Sequence, residues 1–346
     1  MMVTRSWGQV LRSRKGAVTL AVVASALVPN VRAWAADVPV PRVSKDYDYP
    51  HKSIRVIDPF PAAGAGDIIA RTVGQKFAER NGQAFVVDNR PGAGGNVAAE
   101  LAAKATPDGY TLFDVIVYSL APSVSLYPQA SFDPMRDFAY ITLLAGGAFV
   151  VVAYPSFPAK TVAELVALAK SQPGKIGYAS SGVGGPVHIA GELFKSRAGI
   201  NLLHVPYKGA APIMTAVAGG EVQVGIPSVA GALPLIRAGR VVPIAVLGAQ
   251  RTKTLPNVPT IAESGYPGYD FTPWYGIAAP AGTPNAIVRG LNVELGKIVQ
   301  LAEVQSTLAA QGLEAAASTP ERLRDIVREA IATCAKIIKD VGIKVD

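Results

Sequence analysis

Residues 53–71 read Ser-Ile-Arg-Val-Ile-Asp-Pro-Phe-Pro-Ala-Ala-Gly-Ala-Gly-Asp-Ile-Ile-Ala-Arg. The segment has three parts. The apolar run at 53–57 reads as a strand. The loop that follows has a tip of small residues, with no Lys, Arg or His. A helical pattern runs over 67–80, and Asp67 suits its start as a cap or a first-turn charge. What such a loop can offer is its own backbone. The first turn of any helix leaves several N–H groups without intrahelical acceptors, and the aligned peptide dipoles make that end positive. Small residues let another molecule approach those groups closely. The loop can therefore hold an anion, most simply a carboxylate, with no cationic side chain.

The same device recurs over a hundred residues later. Lys175–Ser180 is strand-like, Ser181-Gly182-Val183-Gly184-Gly185 is a loop, and a helix runs on to about residue 199. Two such loops facing each other across a cleft would clamp a small acid from both sides. A third Gly-rich connection, at 91–95, leaves a steric and a binding reading open. With the residues after it, it matches a dinucleotide fingerprint only imperfectly, because the final spaced Gly and a clear acidic partner are missing. No Gly-Lys-Ser/Thr follows any of these loops, which excludes a P-loop.

Strands and helices alternate along the rest of the chain. Strand patterns fall at 84–90, 109–117, 149–155, 201–207, 222–229, 241–248 and 275–280. Helical patterns include 209–220, 284–302 and 320–340, and Thr161 with Glu164 forms a capping box at another helix start. This rhythm predicts an α/β fold of mainly parallel sheets flanked by helices, joined by right-handed crossovers. The strands are too many for one small sheet. The expectation is a discontinuous first domain, 52–153 plus 275–346, with a second, 154–274, inserted in it.

Composition bounds the function. The chain has 346 residues, 17% of them charged, and a formal net charge of +8. Residues 1–35 read as a signal peptide. Arg5, Arg12, Arg14 and Lys15 precede an apolar stretch of 13 residues, 16–28, and Ala33-Trp34-Ala35 fits the small-x-small rule. The stretch is short for a membrane span, which needs ~20 residues. Cleavage after Ala35 would leave 28 basic against 25 acidic residues, a net +3. No dense basic patch interleaved with aromatics remains, so no nucleic-acid partner is expected. The single cysteine, Cys334, excludes an intrachain disulfide framework and reads as a core thiol.

Catalytic patterns are absent from the sequence. His51, His188 and His204 show no metal-ligand spacing. Ser180-Ser181-Gly182 is not a nucleophile elbow. No Asp/Glu pair stands out among the scattered carboxylates. No cofactor, metal or enzymatic activity is expected. The rival reading is an exported hydrolase or transferase, which would need a nucleophile with a base within hydrogen-bond reach; no such constellation stands out, and Ser180 or Ser181 bonded to His188 would supply one. A ligand sensor for a signalling partner is a further alternative.

Five stretches, in order, resemble the Bug family of extracytoplasmic solute receptors of tripartite tricarboxylate transporters: PFPAAGAGDIIAR (59–71), VVDNRPGAGGNVAAELAAKATPDGYTLF (86–113), YASSGVGGPVHIAGELF (178–194), HVPYKGAAPIMTAVAGGEVQV (204–224) and LPNVPTIAESGYPGYDFTPWYGIAAPAGTP (255–284). The resemblance runs from about residue 52 to the C-terminus. It implies a two-domain periplasmic binding fold of the Venus flytrap type, a small organic acid as ligand, transporter subunits as partners, and a monomer in the periplasm. It also implies a ligand carboxylate held by backbone amides of the two loops. By position the binding residues are Phe60, Pro61, Ala63, Gly64, Ala65, Gly66 and Asp67 in the first loop. The second loop gives Ser180, Ser181, Gly182, Val183, Gly184, Gly185 and His188. Tyr118, Ser119, Ala121 and Ser228 are expected as walls, with Tyr207 and Lys208 near the cleft or hinge. Two roles stay open: His188 touches the ligand or only braces its helix, and Lys208 pairs with a second carboxylate or is solvated.

The sequence departs from the family pattern at Ala63, Gly66, Leu120, Ser123, Gly185 and Pro227, mostly by losing polar side chains. That predicts a ligand with one anchored carboxylate, an apolar or aromatic body and no ammonium group.

Overall fold

Apolar strands and amphipathic helices alternate from residue 54 onward in the computed structural model, which describes residues 49–344. The leader and its cleavage point lie outside the described residues. In order, β1 (Ile54–Asp58), α1 (Ala65–Asn81), β2 (Phe85–Asn89), a 3-10 turn (Ala93–Gly95), α2 (Asn96–Ala103) and β3 (Thr111–Ile116) open the fold. Two single turns, α3 (Val117–Leu120) and α4 (Ser123–Leu126), lead to β4 (Phe138–Gly146). Next come β5 (Val150–Ala153), α5 (Val162–Ser171), β6 (Gly177–Ser180), α6 (Pro186–Ala198), β7 (Leu203–Pro206) and α7 (Ala210–Ala218). β8 (Val224–Gly225), α8 (Val229–Arg237), β9 (Val242–Val246) and β10 (Trp274–Pro280) follow. α9 (Asn285–Val299), α10 (Ala302–Ala310), β11 (Glu314–Ala315) and α11 (Pro320–Val341) close the chain.

These strands form two sheets, ordered β11-β4-β10-β3-β1-β2 and β7-β6-β8-β5-β9. Both are mixed. The β-α-β grammar accounts for the parallel neighbours β2-β1-β3 and β7-β6-β8. Antiparallel strands complete each sheet: β10 runs between β3 and β4 in the first, and β5 between β8 and β9 in the second. β10 enters the first sheet after the chain has left the second, and it runs against β3.

Local rules explain the boundaries. Thr161 Oγ1 accepts the Glu164 N–H while the Glu164 carboxylate accepts the Thr161 N–H, closing the capping box of α5. Thr319 caps α11, whose buried stripe is Leu323, Val327, Ala330, Cys334, Ile337 and Ile338. The Cys334 thiol is fully buried, and that burial pushes its pKa up to about 12. α1 and α9 cover one face of the first sheet with Ile69, Val73, Phe77, Leu291 and Leu295, and α2 and α11 cover the other. The helical stretch expected over 284–302 ends at Val299, and α10 follows separately. β4 escaped the sequence reading. It is a nine-residue run, almost wholly buried, whose apolar residues do not alternate, and such a run has no strand period to see.

Candidate functional site

Three helix starts with no side-chain cap converge on one cavity. α1 begins after Gly64, α6 after Gly185 and α7 after Gly209, and none donates a first-turn N–H to an N-cap side chain. Each is therefore a positive helix end whose first-turn amides lack intrahelical acceptors, although in α6 Pro186 at the first position has no N–H and the Gly185 N–H bonds Gly182 O. A fourth start, that of α8, is capped: Ser228 Oγ accepts the Gly231 N–H at 3.2 Å. The cavity lies among Gly64, Ala65 and Gly66 of the first loop, Ser181, Pro186 and Val187 of the second, and Gly209 and Ala210 of the third. Phe60, Pro61, Ile116, Phe149, Ile213, Pro227 and Tyr275 form its apolar wall; Asp58, Asp67 and Ser228 are its polar side chains. No Lys, Arg or His lines it. Its volume is about 50 Å³, room for a few waters.

The walls touch across the gap. A Cβ added at Gly94 would lie 3.2 Å from Val183 O, and one at Gly209 would lie 2.8 Å from Pro61 Cδ. The Tyr127 hydroxyl donates to Val183 O at 2.9 Å. So the connection at 91–95, read two ways above, packs against the second loop.

The structure brings eight of the expected residues to the cavity: Phe60, Pro61, Gly64, Ala65, Gly66, Asp67, Ser181 and Ser228. The others sit elsewhere. Ala63 is exposed, with φ 68°, and its N–H donates to Asp67 Oδ2 at 3.1 Å. Tyr118 stacks on Phe271 with centroids 4.1 Å apart. Ser119 Oγ donates to Gly94 O at 2.6 Å, and Ala121 is core. Ser119 thus braces the 91–95 turn, while Tyr118 and Ala121 pack with the core. Gly182, Val183, Gly184 and Gly185 shape the second loop behind Ser181. Tyr207 donates its N–H to Ser180 O at 2.8 Å, and Lys208 is exposed.

His188 braces its helix: Nδ1 accepts the Gly184 N–H at 3.1 Å, and the ring stacks on His204 with centroids 4.0 Å apart. Burial lowers the His188 pKa, and burial with the neighbouring His188 lowers that of His204 to about 3. Both rings are neutral. Ser180 is bonded to His204 and not to His188: its Oγ is 2.6 Å from Nε2. Ser180 is fully buried, also accepts the Gly182 N–H at 3.2 Å, and does not line the cavity.

Asp58 and Asp114 went unread among the carboxylates, although a charge inside SIRVID or TLFDVI was a visible signal. Asp58 ends β1, Asp114 lies in β3, and both are buried. Asp58 Oδ1 accepts the Phe60 N–H at 2.7 Å. Burial raises the Asp58 pKa to about 6, and burial with the facing Asp58 raises that of Asp114 far above the carboxylate range. Asp67 behaves oppositely. Burial alone would raise it, but hydrogen bonds from Arg71, the Ala63 N–H and Asn89 outweigh that and lower it. Gly209 was partly legible: it ends the loop of a further strand–loop–helix unit, though that loop carries Tyr207 and Lys208 instead of small residues.

Sequence comparison places the chain. Residues 69–343 match the tripartite tricarboxylate transporter family receptor model, and the chain belongs to that family. It is similar to protein BugT of Bordetella pertussis, 33% identical over 86% of this chain and 91% of that one. Among solved structures, R. palustris Rpa4515 with adipate superposes with a TM-score of 0.83 at 34% identity, over 86% of this chain and 99% of that one. MatC from Rhodopseudomonas palustris with bound malate gives 0.79 at 28% identity, over 84% and 100%. The fold is thus the α/β periplasmic binding fold that the motifs implied.

Proposed function

We propose that this protein is a periplasmic solute-binding receptor that captures a small carboxylate and delivers it to a tripartite tricarboxylate-type transporter. The observation that carries the reading is the convergence of three uncapped helix starts on one cavity without a cationic side chain. Amides of the first and second loops, joined by those at α7, bind the carboxylate, and the apolar wall takes the ligand body. The carboxylates bound by the relatives, adipate and malate, support that class. The two sheets belong to two domains, which part to admit the ligand and close over it; β5 (Val150–Ala153) pairs within the second sheet and β10, from Trp274, within the first, so the boundaries fall just before β5 and just before β10, a few residues ahead of the expected 153/154 and one ahead of 274/275. The small cavity and the loop contacts across it suit the closed arrangement. No membrane-length apolar helix occurs among the described residues, which suits a protein released by cleavage after Ala35.

The function is binding without turnover. The Ser180–His204 pair supports this rather than a hydrolase, since Ser180 is fully buried and neither residue lines the cavity. Calorimetry with adipate, malate, benzoate, aspartate and glutamate tests the reading. A carboxylate should bind in the micromolar range or tighter, with apolar or aromatic bodies favoured over amino acids. No heat from any of them, or turnover of a chromogenic ester abolished by Ser180→Ala, would overturn it.

A further inference from the structure

Asp58 and Asp114 face each other behind the start of α1. A Cβ built on Gly66 would meet Asp114 Oδ2 at 2.6 Å and Asp58 Oδ2 at 3.1 Å, so both oxygens crowd one point. As carboxylates, Asp58 Oδ2 and both Asp114 oxygens would have no hydrogen-bond donor at all. Asp114 is 0% and Asp58 1% exposed. Two buried, unpartnered carboxylates that crowd one point carry two charges only at great cost, and one proton between them supplies a missing donor. Among the described residues no group of three or more side chains is placed to hold a metal ion there. Asp58 lines the cavity directly, beside the amides of Ala65 and Gly66.

We propose that Asp58 and Asp114 share one proton in the empty protein, and that carboxylate entry draws a second proton onto the pair, so that capture is coupled to proton uptake. The inference rests on the functional reading above. With one shared proton the pair carries a single negative charge next to where an anion must sit. A bound carboxylate raises the cost of that charge, and a proton from solvent removes it. The other groups facing the pair do not do this work. Asp67 on α1 is neutralised by Arg71, with side-chain nitrogen and oxygen 2.8 Å apart. Asn89 on β2 is uncharged. Tyr275 on β10 is buried and keeps its proton, because burial and the two aspartates raise its pKa. Binding should therefore be strongest in mild acid, where the pair is fully protonated and the ligand still ionised, and weaken as pH rises through the pair's apparent titration near pH 6.

The test is calorimetry of wild type with the tightest-binding acid of the panel, from pH 5 to 8, in two buffers of different ionisation enthalpy at each pH. The expected result is up to one proton taken up per ligand, and affinity falling by as much as ~tenfold per pH unit above the transition. Asp58→Asn and Asp114→Asn should flatten both dependences. Carboxyl-carbon NMR of the ligand-free protein should show one aspartate titrating near pH 6 and another staying protonated well above it. Binding with no proton uptake and a flat profile overturns the coupling and leaves the receptor reading intact. Binding of no acid at any pH sinks both, and Asp58→Asn with an unchanged slope assigns the proton elsewhere and overturns the proposal.

Discussion

Gly66 has room for no other side chain, although its place in the first turn of α1 would ordinarily favour alanine. An added methyl would press on Asp114 Oδ2, Asp58 Oδ2 and Ile116 Cδ1 at 2.6, 3.1 and 3.1 Å. Gly66→Ala should cost about 1–3 kcal/mol by overpacking and weaken carboxylate binding. Gly296→Ala is the contrast: its new methyl would come no closer than 4.0 Å, to Ala317 Cβ, and should stabilise α9 by roughly 0.5–1 kcal/mol. Urea denaturation of both variants decides the sign. The Asp58–Asp114 pair makes a second residue-level prediction. A carboxyl whose pKa rises on folding favours the native state below its unfolded value of 3.8, and loses that support as pH rises through the native value near 6. Asp67 has the opposite sign, its lowered pKa giving support that is lost only in acid. From pH 8 to 5 the pair's term should therefore raise the melting temperature, and Asp114→Asn should remove that part of the slope; a wild-type slope matched by the variant contradicts it. The pair escaped sequence reading because one strand pattern shows a charge but not what faces it across a sheet.

At the scale of elements, the helix starts divide into a capped and an uncapped class. Thr161, Thr319 and Ser228 cap α5, α11 and α8 with their hydroxyls; α1, α6 and α7 start at glycines with none. α5 and α11 lie away from the cavity and α1, α6 and α7 border it; α2, α9 and α10 also start without a side-chain cap and do not border it, so what marks the three is where they converge. This split was legible for α1 and α6, since a loop of small residues before a helix announces free amides. It was less legible for α7, whose loop, Tyr207-Lys208-Gly209, shares only the closing glycine. It was not legible that Ser119 would brace a loop and that Tyr118 and Ala121 would pack with the core, because nothing in the pattern announces the single turn after β3. Ser228 belongs to both classes, since it caps α8 and borders the cavity. Ser228→Ala should cost about 1 kcal/mol in chemical denaturation for the lost cap. Ser228→Asp should keep the cap but add a second anion to the wall, so stability is retained while carboxylate affinity drops. Equal loss of affinity in both variants would mean that the hydroxyl, not the charge balance, governs binding.

For the whole molecule the question is whether the contacts across the cavity are permanent or belong to one state of a moving cleft. Gly94 and Gly82 separate the two possibilities. Both have left-handed backbones, φ 65° and 68°, so an alanine at either strains the chain by about 1–2 kcal/mol. That strain is local and the same whether the cleft is open or closed. Gly82, the C-cap of α1, has nothing within 4 Å of an added Cβ, whereas at Gly94 the methyl would come 3.2 Å from Val183 O and 3.3 Å from Gly185 N on the far side of the cleft. Only the second contact depends on closure. In a molecule that opens and shuts, Gly82→Ala should lower stability and leave ligand affinity alone. Gly94→Ala should lower affinity by roughly tenfold for ~1.4 kcal/mol of closed-state clash. Small-angle scattering should show wild type contracting on ligand addition and Gly94→Ala contracting less at equal saturation. Were the gap permanently shut, the two variants would differ in stability by the cost of that clash, scattering would not respond to ligand, and affinity would not distinguish them. The meeting of the loops is the part no residue pattern could disclose: the sequence shows which loops can hold an anion, but whether they come together depends on the crossings at 147–149 and 247–273 that link the two sheets.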